Sequence, residues 1–336
     1  MTDQLANRWN VEKIRSWYDK QPWLCGFNYV TSNAINTTEM WHHSSVDFDI
    51  IDRELTWAEE IGFNSCRIFL QYLVWQEDPH GLIARLDHFL TIANHHHLST
   101  IVCLFDDCAF SGKEPYLGPQ DPPLPGVHNS GWVPSPGHVR VVDQSTWKIL
   151  RNYISMIIGW FREDDRILFW DLYNEPGNAG MGEASLNLLN NTFLWARYEK
   201  PNQPITVGIW NSEYKQITKA SIDASDLITF HNYSNENSLN NQIENLEQYE
   251  RPIVCTEWMR RNYGSIFSTH LPIFRKNNVG CYFWGLVNGK TQTHFPWGSH
   301  EGASEPEIWF HDLLHKDGNA YDNEELSFIK NFLKSS

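Results

Sequence analysis

Two spacings of apolar residues alternate along the chain. Eight short runs are almost continuously apolar: Trp23 to Val30, Asn64 to Leu70, Ser99 to Phe105, Ile167 to Tyr173, Pro204 to Trp210, Leu227 to Tyr233, Pro252 to Trp258 and Val279 to Leu286. Between them apolar residues recur every three or four positions. Ile51, Leu55, Ala58 and Ile61 share one helical face, Trp147, Leu150, Ile154, Ile157, Ile158 and Phe161 another, and Asn323 to Leu333 repeats the pattern. Strands apolar throughout belong to a parallel sheet covered on both faces, and eight alternations with helices predict closure into an α/β (β/α)8 TIM barrel. An open doubly wound sheet would carry a Gly-rich phosphate turn after its first strand, and GFNYVTSN has none.

Residues 1–22 form an N-terminal extension with one amphipathic stretch, Val11 to Tyr18, expected as a helix packed on the barrel; residues 23–336 are then one catalytic barrel. The third βα loop, Asp106 to Asp143, is long and holds seven of the chain's 16 prolines with Phe110, Tyr116 and Trp132, a composition that predicts an ordered wall beside a site.

The 336 residues carry 26 basic against 41 acidic side chains, net −15, so phosphate backbones and anionic membranes are repelled and neither nucleic acid nor a membrane is an expected partner. The first residues lack the basic start and apolar run of a secretory leader, which predicts a cytoplasmic protein. Six cysteines show no CxxC or Cys/His metal spacing and are expected as buried free thiols in a reducing compartment. His95, His96 and His97 are consecutive on a helix end, cannot converge on one metal, and are expected to be solvated. Sixteen Trp exceed what a core needs, and flat rings suit the C–H faces of sugars.

In a barrel of this kind functional side chains gather at the C-terminal ends of different strands. Arg67 lies in the second run, Asp106 and Asp107 follow the third, and Asn174 and Glu175 end the fourth. Trp210 ends the fifth, His231 and Tyr233 the sixth, Glu257 lies in the seventh and Trp284 in the eighth. Cleaving a glycosidic bond asks for two carboxyl groups across one linkage. Glu175, in WDLYNEPGN, and Glu257, in PIVCTEW, stand at the rim on the fourth and seventh strands, and Pro176 forbids simple continuation of the first.

This constellation resembles clan A glycoside hydrolases of the family 5, cellulase-like type, from Trp23 to the closing WFHDLLHKDGNAYDNEELSFI. The resemblance implies a retaining double displacement on β-linked substrates without metal or other cofactor. Glu175 would be the acid/base and Glu257 the nucleophile. Asn174 would hydrogen-bond the sugar 2-hydroxyl, Tyr233 would bond Glu257, Arg67 would hold Glu257 ionised, and Glu175 would therefore titrate high. His231 would orient Glu175 or line the leaving-group side, and Trp284 would floor the subsite of the reacting sugar. Family members usually have a His near the end of the third strand, where this chain has Asp106-Asp107-Cys108; acidic groups there are expected to grip sugar hydroxyls. Trp41, Trp75, His128, Asn129, Trp132, Trp210 and Trp258 are further expected sugar contacts. The walled loop favours exo action on a short β-linked oligosaccharide or β-glycoside. The alternatives are an endo-β-1,4-glycanase of the cellulase, mannanase or xylanase kind, a transglycosylase, or a silent sugar-binding barrel, which would be expected to lack one of the two carboxylates kept here.

Overall fold

The computed structural model describes residues 8–334 and closes the predicted barrel. Its eight parallel strands are β1 (Cys25–Asn28), β2 (Ser65–Phe69), β3 (Ser99–Asp106), β4 (Ile167–Asn174), β5 (Ile205–Thr206), β6 (Ile228–Asn232), β7 (Ile253–Trp258) and β8 (Gly280–Trp284). They run in the order β5-β4-β3-β2-β1-β8-β7-β6, so the first and last strands are paired. A single parallel bridge between Ile209 and Phe230 joins the two remaining edges. Nearly every strand residue is buried, as the continuous apolar runs require.

β5 is shorter than the run Pro204 to Trp210, for a local reason. Val207 N–H donates to Ser225 Oγ at 3.1 Å rather than to a strand. At Gly208 a Cβ would lie 3.2 Å from His231 Nε2, so the strand gives way where an imidazole needs room.

The helices follow the predicted faces. The helix Phe48–Ile61 is capped by Asp47, which accepts from Ile50 N–H, ends at Gly62 in the left-handed region (φ 107°), and buries Ile51, Leu55, Ala58 and Ile61. The helix Trp147–Phe161 buries Leu150, Ile154, Ile157, Ile158 and Phe161. In the extension, the helix Val11–Tyr18 sets Ile14 and Tyr18 against Leu24, Ile101, Phe169, Val254 and Tyr282, plugging the N-terminal mouth of the barrel. Residues 1–7 of that extension lie outside the described residues.

Two sequence expectations about histidines and cysteines divide. All six cysteines are free and buried. His96, expected in solvent, is instead buried, with Nδ1 3.0 Å from Glu59 and Nε2 2.9 Å from Asp52, because it faces the neighbouring helix. Among the described residues no helix is long and apolar enough to cross a membrane.

The β3 loop is ordered against the loop that follows β8. Asn129 N–H donates to Thr291 O at 2.7 Å, Gly302 N–H to Pro125 O at 2.8 Å, His128 N–H to Ser299 Oγ at 2.9 Å and Gln292 Nε2 to Leu124 O at 2.7 Å. Asn36, after β1, donates through Nδ2 to Gly131 O at 2.9 Å. Three βα loops thus form one wall over the β1, β2 and β8 side of the barrel mouth.

Candidate active site

Arg67, fully buried inside the barrel, organises one half of the site. Its guanidinium donates to Asp171 Oδ2 (2.7 and 2.9 Å), Asn174 Oδ1 (2.7 Å), Asn28 Oδ1 (2.8 Å) and Glu257 Oε1 (2.9 Å). Three strands, β1, β4 and β7, contribute these acceptors, and with all donors used the charge is held in a single orientation. The other oxygen of Glu257 accepts from Tyr233 Oη at 2.8 Å. A register shift between β6 and β7 pairs Phe230 with Cys255 and then His231 with Glu257, which brings the imidazole beside the carboxylates.

Glu175 is held by different means. It leaves β4 with φ 43°, a left-handed conformation that a non-glycine residue adopts at a cost and that turns its carboxyl toward the barrel axis. Oε1 lies 2.7 Å from His231 Nδ1, and Oε2 accepts from Cys108 Sγ at 3.2 Å and from Asn178 Nδ2. An oxygen of Glu175, a nitrogen of His231 and an oxygen of Glu257 all lie within 4.8 Å of one another.

Protons are therefore shared differently from the sequence expectation. Burial raises Glu257 above the ordinary carboxylate range and the charge of Glu175 adds to it, against the pull of His231, Arg67 and Tyr233. Burial also pushes Glu175 up, but the hydrogen bond and charge of His231, with Cys108 and Asn178 donating, outweigh it, so Glu175 sits below its usual value rather than above. His231 loses by burial and gains more from Glu257 and Glu175, and is raised. The cause is the contact of His231 Nδ1 with Glu175 Oε1 at 2.7 Å, which favours a charged imidazole and an ionised Glu175 together.

These three groups come close enough to bind a cation, but all four carboxylate oxygens are already engaged and a guanidinium sits 2.9 Å from one of them. That donor set suits a proton and a sugar better than a metal.

Around the cluster opens a cavity of roughly 1080 Å³, at the large end for a small-molecule site. Asn174, Glu175, His231, Tyr233, Glu257 and Trp284 line it, and of the further expected contacts so do His128, Asn129, Trp132 and Trp210. Trp284 packs on Phe69 and Trp132 at ring distances of 5.6 and 5.8 Å, and Trp210 is fixed by Nε1 donating to Pro176 O at 3.0 Å.

Five expected contacts do not reach the cavity. Trp41 is buried with Nε1 on Phe69 O at 2.7 Å, and Trp75 packs on Tyr72 and Tyr153. Trp258 follows Glu257 on a strand, so it points outward, where it stacks on His270 and meets Phe267 and Phe274. Asp106 accepts from Trp132 Nε1 (2.7 Å), Cys108 N–H and Asn174 Nδ2 (both 2.9 Å), and burial raises it to about 7. Asp107 is fully buried on Tyr173 Oη (2.6 Å), Gly177 N–H (2.7 Å) and Ser185. Asp106 therefore braces the cavity residues Cys108, Trp132 and Asn174, Asp107 fastens the chain on either side of Glu175, and neither carboxylate lines the cavity.

The sequence reading missed Cys108 and Asn178 beside Glu175, Trp297 and His311 in the wall, and Arg260 in the loop after β7. It also missed one face of the helix Glu236–Glu247, where Ser238, Asn241, Gln242 and Asn245 line the cavity. Their spacing of three, four and seven was the available signal for that face.

The family described as Cellulase (glycosyl hydrolase family 5) matches residues 34–290. The GH5_18 protein of Streptomyces cattleya, solved in complex with GlcNAc, superposes with a TM-score of 0.61 at 13% identity, over 93% of this chain and 79% of that one. A variant of it solved with Manβ1-4GlcNAc gives 0.60 at 13%, with the same coverage. An exo-β-1,4-mannosidase from Opitutaceae bacterium strain TAV5 gives 0.62 at 15%, over 93% of this chain and 59% of the other. The endo-β-1,4-mannanase of Thermotoga petrophila gives 0.58 at 15%, over 93% and 76%. At these identities the likeness is one of fold. No curated protein sequence matches.

Proposed function

The chain belongs to glycosyl hydrolase family 5, and on that premise we propose that it is a retaining β-glycosidase that removes sugars from the end of short β-linked oligosaccharides or β-glycosides. The observation that carries the reading is the approach of Glu175 and Glu257 oxygens to within 4.8 Å, which suits the roughly 5–5.5 Å carboxyl separation of double displacement and leaves no room for the water of direct inversion. Glu257, anchored between Arg67 and Tyr233, attacks the anomeric carbon. Glu175 delivers the cluster's proton to the glycosidic oxygen as the bond breaks. The glycosyl ester on Glu257 removes one negative charge, and Glu175, returned to its carboxylate, then draws a proton from water.

Exo action is supported by the wall. The joined β1, β3 and β8 loops close the cavity on the Trp132 and Trp284 side, where the reacting sugar is seated. The opposite side, past Glu175 and Trp210, carries the polar face of Ser238, Asn241, Gln242 and Asn245 and receives the leaving group. That face also favours a second reading, in which it holds a sugar acceptor and the enzyme transfers instead of hydrolysing. The mannosidase and the Manβ1-4GlcNAc complex among the structural neighbours make β-mannosides the first substrates to try. A panel of nitrophenyl β-glycosides with manno- and cello-oligosaccharides tests the reading. Exo action gives a monosaccharide from the first time point, retention gives the β-anomer first by proton NMR, and transfer gives longer products. An initial α-anomer would exclude the double displacement, and an initial mixture of oligosaccharides would exclude the exo reading.

A further inference from the structure

Three polar side chains that line the cavity carry nitrogens used by neither the proton relay nor the fold. His128, in the β3 loop, and His311, in the loop after β8, line the cavity with ring centroids 5.5 Å apart. Each ring is tied through Nδ1 to a main-chain carbonyl: His128 to Phe295 O at 2.7 Å and His311 to Met259 O at 2.6 Å. A carbonyl only accepts, so each Nδ1 carries the hydrogen, and in the neutral ring Nε2 is left as a bare lone pair. Neither Nε2 has a hydrogen-bond partner among the described residues. Burial keeps both rings neutral, pushing His128 down to about 4 and His311 well below its ordinary value.

Arg260, after β7, is the third group. Its guanidinium lies 3.6 Å from the Tyr263 ring centroid and 5.0 Å from that of Trp297. Its Nε is buried without a partner, and among the described residues no carboxylate pairs with it, although the chain's net charge is −15. Trp297 gathers the set, with His128 at 6.4 Å and His311 at 6.0 Å between ring centroids. Tyr233, which holds Glu257, is 5.5 Å from His311, so the set adjoins the seat of the reacting sugar.

We propose that His128, His311 and Arg260 form a hydroxyl-reading site for the sugar being cleaved, the imidazoles accepting from its hydroxyls and the guanidinium donating to them. This rests on the glycosidase reading above and narrows it. A hydroxyl satisfies both demands at once, giving its hydrogen to Nε2 and a lone pair to Arg260. A uronic carboxylate would satisfy Arg260 but set its own lone pairs against two bare nitrogens, and an ammonium group would meet the guanidinium charge. The site therefore takes neutral, hydroxyl-bearing glycones and rejects uronic acids.

The test is a cycle between side chain and hydroxyl. For the best nitrophenyl β-glycoside, deoxy and deoxyfluoro analogues at each glycone position outside C2 are compared on the wild type, on His128→Phe and His311→Phe, which remove the acceptor, and on His128→Gln and His311→Gln, which keep one. At one position at least, both analogues cost the wild type about 10- to 100-fold in kcat/KM, because fluorine accepts but cannot donate, while the Phe variant loses nothing further to the same analogue. The Gln variants recover part of the loss, and the corresponding β-glucuronide is cleaved at least 10-fold more slowly than the neutral glycoside. Additive losses at every position in folded variants overturn the proposal while leaving the glycosidase reading standing. A second arm needs no turnover: histidine ¹⁵N spectra of the wild type are expected to show bare Nε2 resonances for both rings near pH 7 that move on adding D-mannose, D-glucose or N-acetylglucosamine. If no β-glycoside is cleaved, the functional reading falls by itself, and the site is then upheld by those movements or overturned by their absence with all three sugars.

Discussion

Glu257 and Glu175 stand within 4.8 Å of each other yet are held by opposite kinds of partner. Glu257 sits on a strand with a permanent charge on one oxygen, from Arg67, and a phenol on the other. Glu175 sits on a strained turn, with a histidine that can gain or lose its proton on one oxygen and neutral donors on the other. In the proposed mechanism the fixed cation aims the nucleophile and favours its ionised form before attack, against the pull of burial. A titratable partner lets the second carboxyl take and give a proton twice. The difference teaches that environment separates the two roles, since the side chains are the same.

The sharpest way to break this contrast is to remove the fixed member. Glu257→Ala is expected to lower turnover by about 10⁴-fold or more, because no covalent intermediate can form. Azide should restore cleavage of an activated aryl glycoside, giving the inverted glycosyl azide; near-normal turnover without azide would remove Glu257 from the mechanism. Arg67→Ala should show what the charge costs when it is absent. Asp171 and Glu257 would be left buried without their cation, and a loss of about 3–5 kcal/mol in urea unfolding is expected. A variant with unchanged stability would mean that solvent replaces the guanidinium.

The titratable member predicts a different signature. Glu175→Ala should lower kcat/KM for glycosides with poor leaving groups by about 10²–10⁴-fold while scarcely affecting kcat/KM for a dinitrophenyl glycoside, whose first step needs no acid. Equal losses would make the two carboxyls alike. The pH profile sharpens the contrast further. Glu257 must be ionised and is raised, so the acid limb of kcat/KM should lie above the ordinary carboxylate value near 4.5. The proton shared by His231 and Glu175 must be present and His231 is raised, so the alkaline limb should lie above 6.5. His231→Asn should pull the alkaline limb downward and leave the Arg67 contacts, seen as folding stability, nearly intact.

How much of this was legible in the sequence follows the range of the interactions involved. Period alone gave the eight strands, the helix faces of Ile51 to Ile61 and Trp147 to Phe161, and the plug at Val11–Tyr18, because each is decided within a few residues. The pairing of Glu175 with Glu257 followed from strand count, since a barrel brings strand ends together wherever they fall in sequence. Trp258 was misread although the signal was present: next to an inward Glu257 on a strand, it had to face out. Trp41 and Trp75 were placed by loop position, and their helices turn them inward. The wall was harder to foresee. The loops of β3 and β8 meet through main-chain groups of residues more than 150 apart, such as Asn129 and Thr291, and no periodicity marks such a contact. The lowering of Glu175 and raising of His231 depend on a 2.7 Å contact that only the folded chain supplies.

Cys108 offers the finest test of the contrast, and the smallest effect. Its Sγ lies 3.2 Å from Glu175 Oε2 and 3.4 Å from Asn178 Nδ2, in the stretch where related barrels usually carry a histidine. Burial, together with the charges of Asp106, Glu175 and Glu257, raises the thiol well above its ordinary value, so it stays protonated and acts as a weak donor. Among the partners of Glu175 it ranks behind the His231 hydrogen bond and charge in holding the carboxyl below its usual value. Removing it in Cys108→Ala should therefore cost only about 0.5–1.5 kcal/mol, a few-fold in kcat/KM, and should raise the affinity of Glu175 for its proton. The effect should appear with poor leaving groups and vanish with dinitrophenyl glycosides, as expected of a group acting only through the acid. Cys108→Ser, which keeps a donor, should fall between the two. A loss of equal size for both leaving groups would show that Cys108 touches the sugar or holds Glu257 as well, and the division between a fixed and a titratable carboxylate would then be less clean than the geometry implies.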